Sequence, residues 1–93
     1  MKVVLKGFII VPDSDLPSVL EELPNHMTMT RREPGCLMFE VLRDSNSEHR
    51  FNVYEEFDSQ ASFDSHQDRA KRSKWGAVSS NVERHYTIEI IDG

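Results

Sequence analysis

At 93 residues the chain has room for one domain, spanning residues 1–93. Eleven Lys and Arg against sixteen Asp and Glu leave a net charge of −5, which excludes a general polyanion binder, because phosphate-backbone affinity needs clustered cations. Hydrophobic content of 38% with eight aromatic rings excludes disorder, but a domain this short buries only about two-thirds of its unfolded surface, so burial against a second copy adds stability.

One cysteine, Cys36, excludes a disulfide framework and a multi-cysteine zinc site, and fits a reducing compartment. The N-terminal stretch Met1-Lys2-Val3-Val4-Leu5-Lys6 carries a second lysine and no small-residue cleavage site, so it does not read as a signal peptide. No apolar run approaches the roughly 20 residues that cross a bilayer. The expectation is a cytoplasmic protein with no membrane partner.

In chain order, the β-branched and aromatic stretch 3–11 predicts a strand ended by Pro12. Alternation puts Val3, Leu5, Ile9 and Val11 on one face and Val4, Phe8 and Ile10 on the other, so both faces need cover. Asp13-Ser14-Asp15 offers N-caps, and Leu16, Val19, Leu20, Leu23 and Met27 form a helical stripe that Pro24 is expected to kink. Pro34-Gly35 ends that helix. Residues 36–42 predict a second strand, with Leu37, Phe39 and Val41 alternating against Met38, Glu40 and Leu42. A polar hairpin loop follows, then a third strand over 51–57 with Phe51, Val53, Glu55 and Phe57 on one face and Asn52, Tyr54 and Glu56 on the other. Asp58-Ser59 caps a second helical region in which Phe63, His66, Ala70 and Ala77 share a stripe and Gly76 loosens the last turns. Residues 86–91 predict the last strand.

The order β-α-β-β-α-β is the split βαβ, ferredoxin-like pattern: α+β, an antiparallel sheet with helices on one face. Two helices cover one face only. The expected cover for the other is the same face of a second copy, giving a homodimer of the dimeric α+β barrel kind.

The common chemical motifs are missing. The four glycines are scattered, so no phosphate-cradling loop exists, and there is no Gly-x-Ser-x-Gly elbow. The four histidines have no metal-site spacing among themselves, so no metal is expected, although Glu22 and His26 stand i,i+4 on one helix. His66, on an apolar stripe, is the leading titratable group: burial shifts its pKa toward a value useful for proton transfer, or it is a half-buried histidine satisfied by a local acceptor. Tyr54 either hydrogen-bonds a ligand oxygen or anchors an interface. Glu40 and Glu56 sit within strands, where salt bridges to Arg31, Arg32 or Arg84 are the ordinary outcome. Trp75 either walls a pocket for a flat aromatic or plugs one end of the fold. His26, close to the Met27 side of the first helix, reads as structural or surface, and the basic run 69–74 reads as a solvated face.

Three runs carry a resemblance: Arg31-x-Glu33-Pro34-Gly35-Cys36-Leu37-x-Phe39-Glu40-Val41 with Asp44; Phe51-x-Val53-Tyr54-Glu55-x-Phe57; and Ala61-x-Phe63-x-x-His66. In this order they resemble the antibiotic-biosynthesis monooxygenase domains, small dimeric ferredoxin-like proteins. The resemblance implies a menu of cofactor-free oxygenases of aromatic phenols, quinol oxygenases, haem-degrading enzymes and an isomerase of a phosphorylated sugar. His66 matches the family's second-helix histidine. Many members continue with Thr-Pro-His-Phe three residues on, where this chain has Arg69, Ala70, Lys71 and Arg72. That departure removes a second histidine and counts against the isomerase and the typical quinol sites. The haem-degrading pattern fits least, since Gly7 stands near its first-strand asparagine and Gly76 at its later histidine.

The implied activity is a cofactor-independent monooxygenase that oxidises a small aromatic, quinol or enolisable compound with O2 in a pocket between sheet and helices. His66 is the expected acid/base, with Tyr54 and Asn52 orienting oxygen atoms. Trp75, Phe8, His26 and Glu40 are the expected substrate contacts. The alternatives are a non-catalytic ligand-binding dimer and an isomerase-type member. A nucleic-acid module of the same fold needs exposed aromatics beside basic residues, and the third strand ends in Glu55-Glu56 instead.

Overall fold

The computed structural model describes residues 1–92. Strand β1 (Lys2–Ile10) leads through a single 3-10 turn at Asp13–Asp15 into α1 (Leu16–Arg31); β2 (Cys36–Arg43) and β3 (Arg50–Phe57) form a hairpin; α2 (Gln60–Arg72) and the short α3 (Lys74–Val78) precede β4 (Glu83–Ile91). The four strands form one antiparallel sheet in the order β2-β3-β1-β4. This is the ferredoxin-like α+β fold, with β1 and β3 central and the helices against one face.

Register decides which residues meet the helices. Val3 pairs with Phe57, Leu5 with Glu55, Gly7 with Val53 and Ile9 with Phe51, so these residues share the helix-side face. Phe39 and Val41 extend it on β2, and the cluster closes with Val19, Leu23, Phe63 and Val82. Val3, Phe57 and Val19 are completely buried. The opposite face carries Lys6, Phe8, Asn52, Tyr54, Glu40 and Leu42.

Four local expectations are corrected. Leu37 does not alternate into the core: a register shift between Cys36 and Met38 turns it out to 55% exposure. The buried stripe of α1 runs through Val19, Glu22, Leu23, His26 and Thr30, leaving Leu20 exposed and Met27 only partly covered. Hydrophobicity alone favours Met27 over its neighbour; packing selects His26. Asp15 makes no side-chain cap bond to α1. The second helical region breaks at Ser73, not at Gly76, with Ser73 accepting no further turn in an extended conformation and its hydroxyl donating to the Ala70 carbonyl. Pro24 sits inside one continuous α1, as the expected kink rather than a chain break requires.

Two glycines are dictated by space. Gly35 has φ +89 between α1 and β2, and a side chain there would strike Ser62 and Asp58. This close approach sets the residue before Pro34, Glu33, beside α2. Gly76 lies so near the carbonyls of Ala70 and Lys71 that a Cβ would collide with them, which lets α3 fold back against the end of α2 and presents Trp75 inward. Among the described residues no helix is long and apolar enough to cross a membrane.

Candidate functional site

Where α1, α2 and α3 meet the sheet they enclose a cavity of about 600 Å³. That lies within the range of small-molecule sites. His26 (α1), Glu55 (β3), His66 and Ala70 (α2) form its buried wall; Trp75, Gly76 and Tyr86 are half-buried; Gln67, Lys71, Ser80 and Arg84 stand at the mouth.

His66 is 3% exposed on the α2 stripe of Phe63 and Ala70. Its Nδ1 lies 2.9 Å from Glu33 Oε2, and its Nε2 lies 3.8 Å from Glu55 Oε1. The first is a hydrogen bond and the second is too long to be one. Its ring stacks on Phe57 with centroids 5.0 Å apart and meets the edge of Phe39 at 5.6 Å. Glu33 is held in turn by Arg69, whose Nη2 donates to the buried Thr30 hydroxyl at 3.1 Å. Burial pushes the His66 pKa below its ordinary value, while Glu33 pulls it back up. A neutral imidazole with Nδ1–H donating to Glu33 leaves the Nε2 lone pair free on the cavity side.

Glu55 is the cavity's single carboxyl and is 6% exposed. Burial, reinforced by the negative charge of Glu33, raises its pKa from 4.5 to about 8. At neutral pH it is a protonated acid with a proton available to a ligand, and its Oε1 has no partner within the chain. His26, also 3% exposed, lies flat against Trp75 with ring centroids 4.6 Å apart and planes at 7°. Burial drives its pKa down to about 3, with His66 and Arg69 adding to the effect, so it is neutral; its Nδ1 lacks a partner. Tyr86 is pushed up to about 12 by burial and by Glu55, so its hydroxyl keeps its proton. The wall therefore offers two unpartnered imidazole nitrogens, His66 Nε2 and His26 Nδ1, with one carboxylic acid and one phenol beside aromatic faces. That is a proton acceptor next to proton donors in a largely apolar recess. Among the described residues no three side chains group as metal ligands.

Of the residues singled out in the sequence, His66, His26 and Trp75 come together in this cavity. Tyr54, Asn52, Phe8 and Glu40 do not: strand register puts them on the opposite face, with the sheet between them and His66. There each has a local partner. Tyr54 donates to Glu56 at 2.5 Å, Asn52 donates to Asp44 at 3.1 Å, Phe8 lies under the Arg50 guanidinium at 3.8 Å and stacks on His85, and Glu40 pairs with Arg31 at 3.1 Å. Alternation alone separates these four from Phe51 and Val53; Glu55 shares the latter face, and a lone carboxylate among three core positions is the signal that marks it. Glu33, Tyr86 and Arg84 reach the site through turns and strand order, which no periodicity reveals.

The sequence model of the antibiotic biosynthesis monooxygenase family matches residues 3–77. No sequence among the curated proteins matches the chain. Solved structures do. An antibiotic biosynthesis monooxygenase-like protein from Deinococcus radiodurans is similar at 19% identity, over 100% of this chain and 94% of its own, with a TM-score of 0.78. A similarly described protein from Nitrosomonas europaea is 19% identical over 99% of this chain and 88% of its own, with a TM-score of 0.76. A mutant of SnoaB, described as a cofactor-independent oxygenase from Streptomyces nogalater, is 10% identical over 99% of this chain and 94% of its own, also at 0.76. At these identities the likeness shows the fold alone, and the sequence match over most of the chain decides the family. The chain belongs to the antibiotic biosynthesis monooxygenase family.

Proposed function

We propose that the protein is a cofactor-independent monooxygenase of a small phenol, quinol or enolisable compound. The single observation that carries this reading is His66, with Nδ1 fixed by Glu33 at 2.9 Å and Nε2 open to an aromatic-walled cavity. Family membership and the structural likeness to a protein described as a cofactor-independent oxygenase support the same choice.

Ground-state O2 reacts poorly with closed-shell organics, whereas a phenolate or enolate is electron-rich enough to reduce it by one electron. His66 Nε2 takes the substrate O–H proton. The anion passes one electron to O2, and the resulting substrate radical and superoxide combine at a ring carbon that still carries hydrogen. The peroxide anion takes back a proton to become a hydroperoxide. Loss of water, using the hydrogen on that carbon, leaves a carbonyl. One oxygen atom enters the substrate and the other leaves as water, so O2 is the only oxidant required. Protonated Glu55 and Tyr86 donate to the oxygen on which charge develops. The 3.8 Å gap between His66 Nε2 and Glu55 Oε1 leaves room for a ligand oxygen that bonds both.

The protein works as a homodimer in this proposal, with Met38, Leu42 and Ile91 of the open sheet face covered by a second copy; they are 47, 63 and 43% exposed in one chain.

The test is oxygen uptake by purified protein over a panel of phenols and quinols, with and without added flavin or metal, followed by product analysis under 18O2. Uptake without additions and one labelled carbonyl per turnover are expected. Uptake no faster than in buffer for every substrate overturns the proposal, and turnover that consumes no oxygen points to the isomerase-type reaction instead.

A further inference from the structure

The mouth of the cavity is positive in a protein whose acids outnumber its bases by 16 to 11. Lys71 and Arg84 both line it, and its single carboxyl, Glu55, lies at the buried end. Two other basic side chains of α2 are neutralised: Arg69 pairs with Glu33 and Arg72 with Asp68. Among the described residues neither Lys71 nor Arg84 has a carboxylate within salt-bridge distance, while both face the same opening.

Arg84 is also positioned in advance. One of its terminal nitrogens, Nη2, donates to the Ser79 carbonyl at 3.2 Å and to the Ser79 hydroxyl at 3.1 Å. Ser79 is completely buried and its own hydroxyl donates to the Trp75 carbonyl at 2.6 Å, so the anchor is rigid and tied to the cavity's aromatic wall. Arg84 also hydrogen-bonds the Tyr86 side chain, and a guanidinium's five N–H donors still leave some for a planar acid. Holding Arg84 at one point lowers the entropy lost when it closes on a ligand. The buried end supplies the opposite character: Trp75 over His26, with Phe39 and Phe57 packed around His66.

We infer that the substrate is an aromatic acid whose carboxylate is held at the mouth by Arg84 and Lys71, while its ring lies against Trp75 and its reacting hydroxyl reaches His66. This rests on the cavity being the substrate site, and it narrows the substrate class from phenols and quinols at large to those with an acidic group on the edge remote from the hydroxyl. At pH 7 the neutral Glu55 does not oppose such a ligand; ionisation through about pH 8 places a negative charge at the far end of the cavity and weakens it.

Calorimetric titration with 6-hydroxy-2-naphthoate and with 2-naphthol tests the inference, because the pair differs only in the carboxylate. The acid is expected to bind wild type at least tenfold more tightly than the naphthol, and this preference should collapse toward unity in Arg84→Gln. Lys71→Gln is the second variant, since its side chain makes no hydrogen bond or ion pair among the described residues and its loss leaves the fold intact; it should shrink the preference several-fold. Equal binding of the two compounds by wild type overturns the inference and leaves the cavity reading standing. A preference that survives both substitutions overturns the assignment to these residues. Failure of both compounds to bind overturns the cavity reading, and the inference with it.

Discussion

Glu33 and His66 lie 33 positions apart in the chain, yet Oε2 of one is 2.9 Å from Nδ1 of the other. The contact exists because Gly35 lets the α1–β2 turn press against α2. It fixes the tautomer of His66 and aims Nε2 at the cavity, the role a buried carboxylate plays beside any histidine base. Glu33→Gln keeps the size and removes the charge. We expect kcat/KM to fall roughly ten- to a hundredfold through loss of orientation. Because Glu33 raises the His66 pKa, the acid limb of the pH profile should also move to lower pH in the variant. A merely structural Glu33 would lower activity without moving that limb.

Glu55 gives the alkaline side of both activity and stability. Its pKa is about 8 folded against 4.5 as the reference value, so between those limits the folded state binds more protons than the unfolded state. Stability then falls as pH rises through that window, at up to about 1.4 kcal/mol per unit. His26 and His66 act in the opposite sense, because folded-state pKa values below 6.5 make stability rise with pH up to that point. The two effects oppose each other below 6.5, and Glu55 alone remains above it. Wild type should lose on the order of 1–2 kcal/mol of unfolding free energy between pH 6.5 and 8, while Glu55→Gln should stay nearly flat. Denaturant titrations at four pH values measure this, and a flat wild-type profile contradicts the buried protonated carboxyl.

Trp75 keeps His26 dry by lying flat on it. Trp75→Ala opens that side to water, which removes the main cause of the low His26 pKa. The His26 ring should then titrate well above 3 by NMR, with a stability loss of roughly 1–3 kcal/mol because the indole is only half-buried. An unchanged His26 titration would show that other groups exclude the water.

The open sheet face is the proposed dimer surface. Leu42→Glu on that face introduces a charge with no opposite partner in a symmetric contact, since each copy brings its own. Sedimentation should show wild type as a dimer and the variant shifted toward monomer at the same concentration, with its far-UV circular dichroism unchanged. A monomeric wild type removes the proposal.

The fold was legible because its signals are periodic. Strand alternation in Val3, Leu5, Ile9 and in Phe51, Val53, Phe57 and the Phe63–His66–Ala70 spacing are all visible in one dimension. Part of the site is legible for the same reason: His66 sits on a helical stripe whose inward direction follows from Phe63 and Ala70, whereas His26 is turned inward by packing that the hydrophobic stripe of α1 does not show. Alternation puts Tyr54 and Asn52 on the face away from Val53, but a polar residue on a strand signals a direction and not a depth; the structure gives them Glu56 and Asp44 as partners on that face. Alternation puts Glu55 on the face of Phe51 and Val53, yet its chemistry depends on how completely α2 covers β3, which spacing does not measure. Glu33, Arg84 and Tyr86 arrive from a turn and an edge strand, and only the three-dimensional path brings them in.

In the proposed reaction His66 is the base that activates substrate toward O2. Oxygen uptake by wild type and His66→Ala, with the most reactive phenol or quinol and no added flavin or metal, tests it most directly. We expect at least a tenfold fall in kcat/KM, about 1.4 kcal/mol of barrier or more, in a variant that still binds the substrate. Equal rates in the two proteins would contradict it.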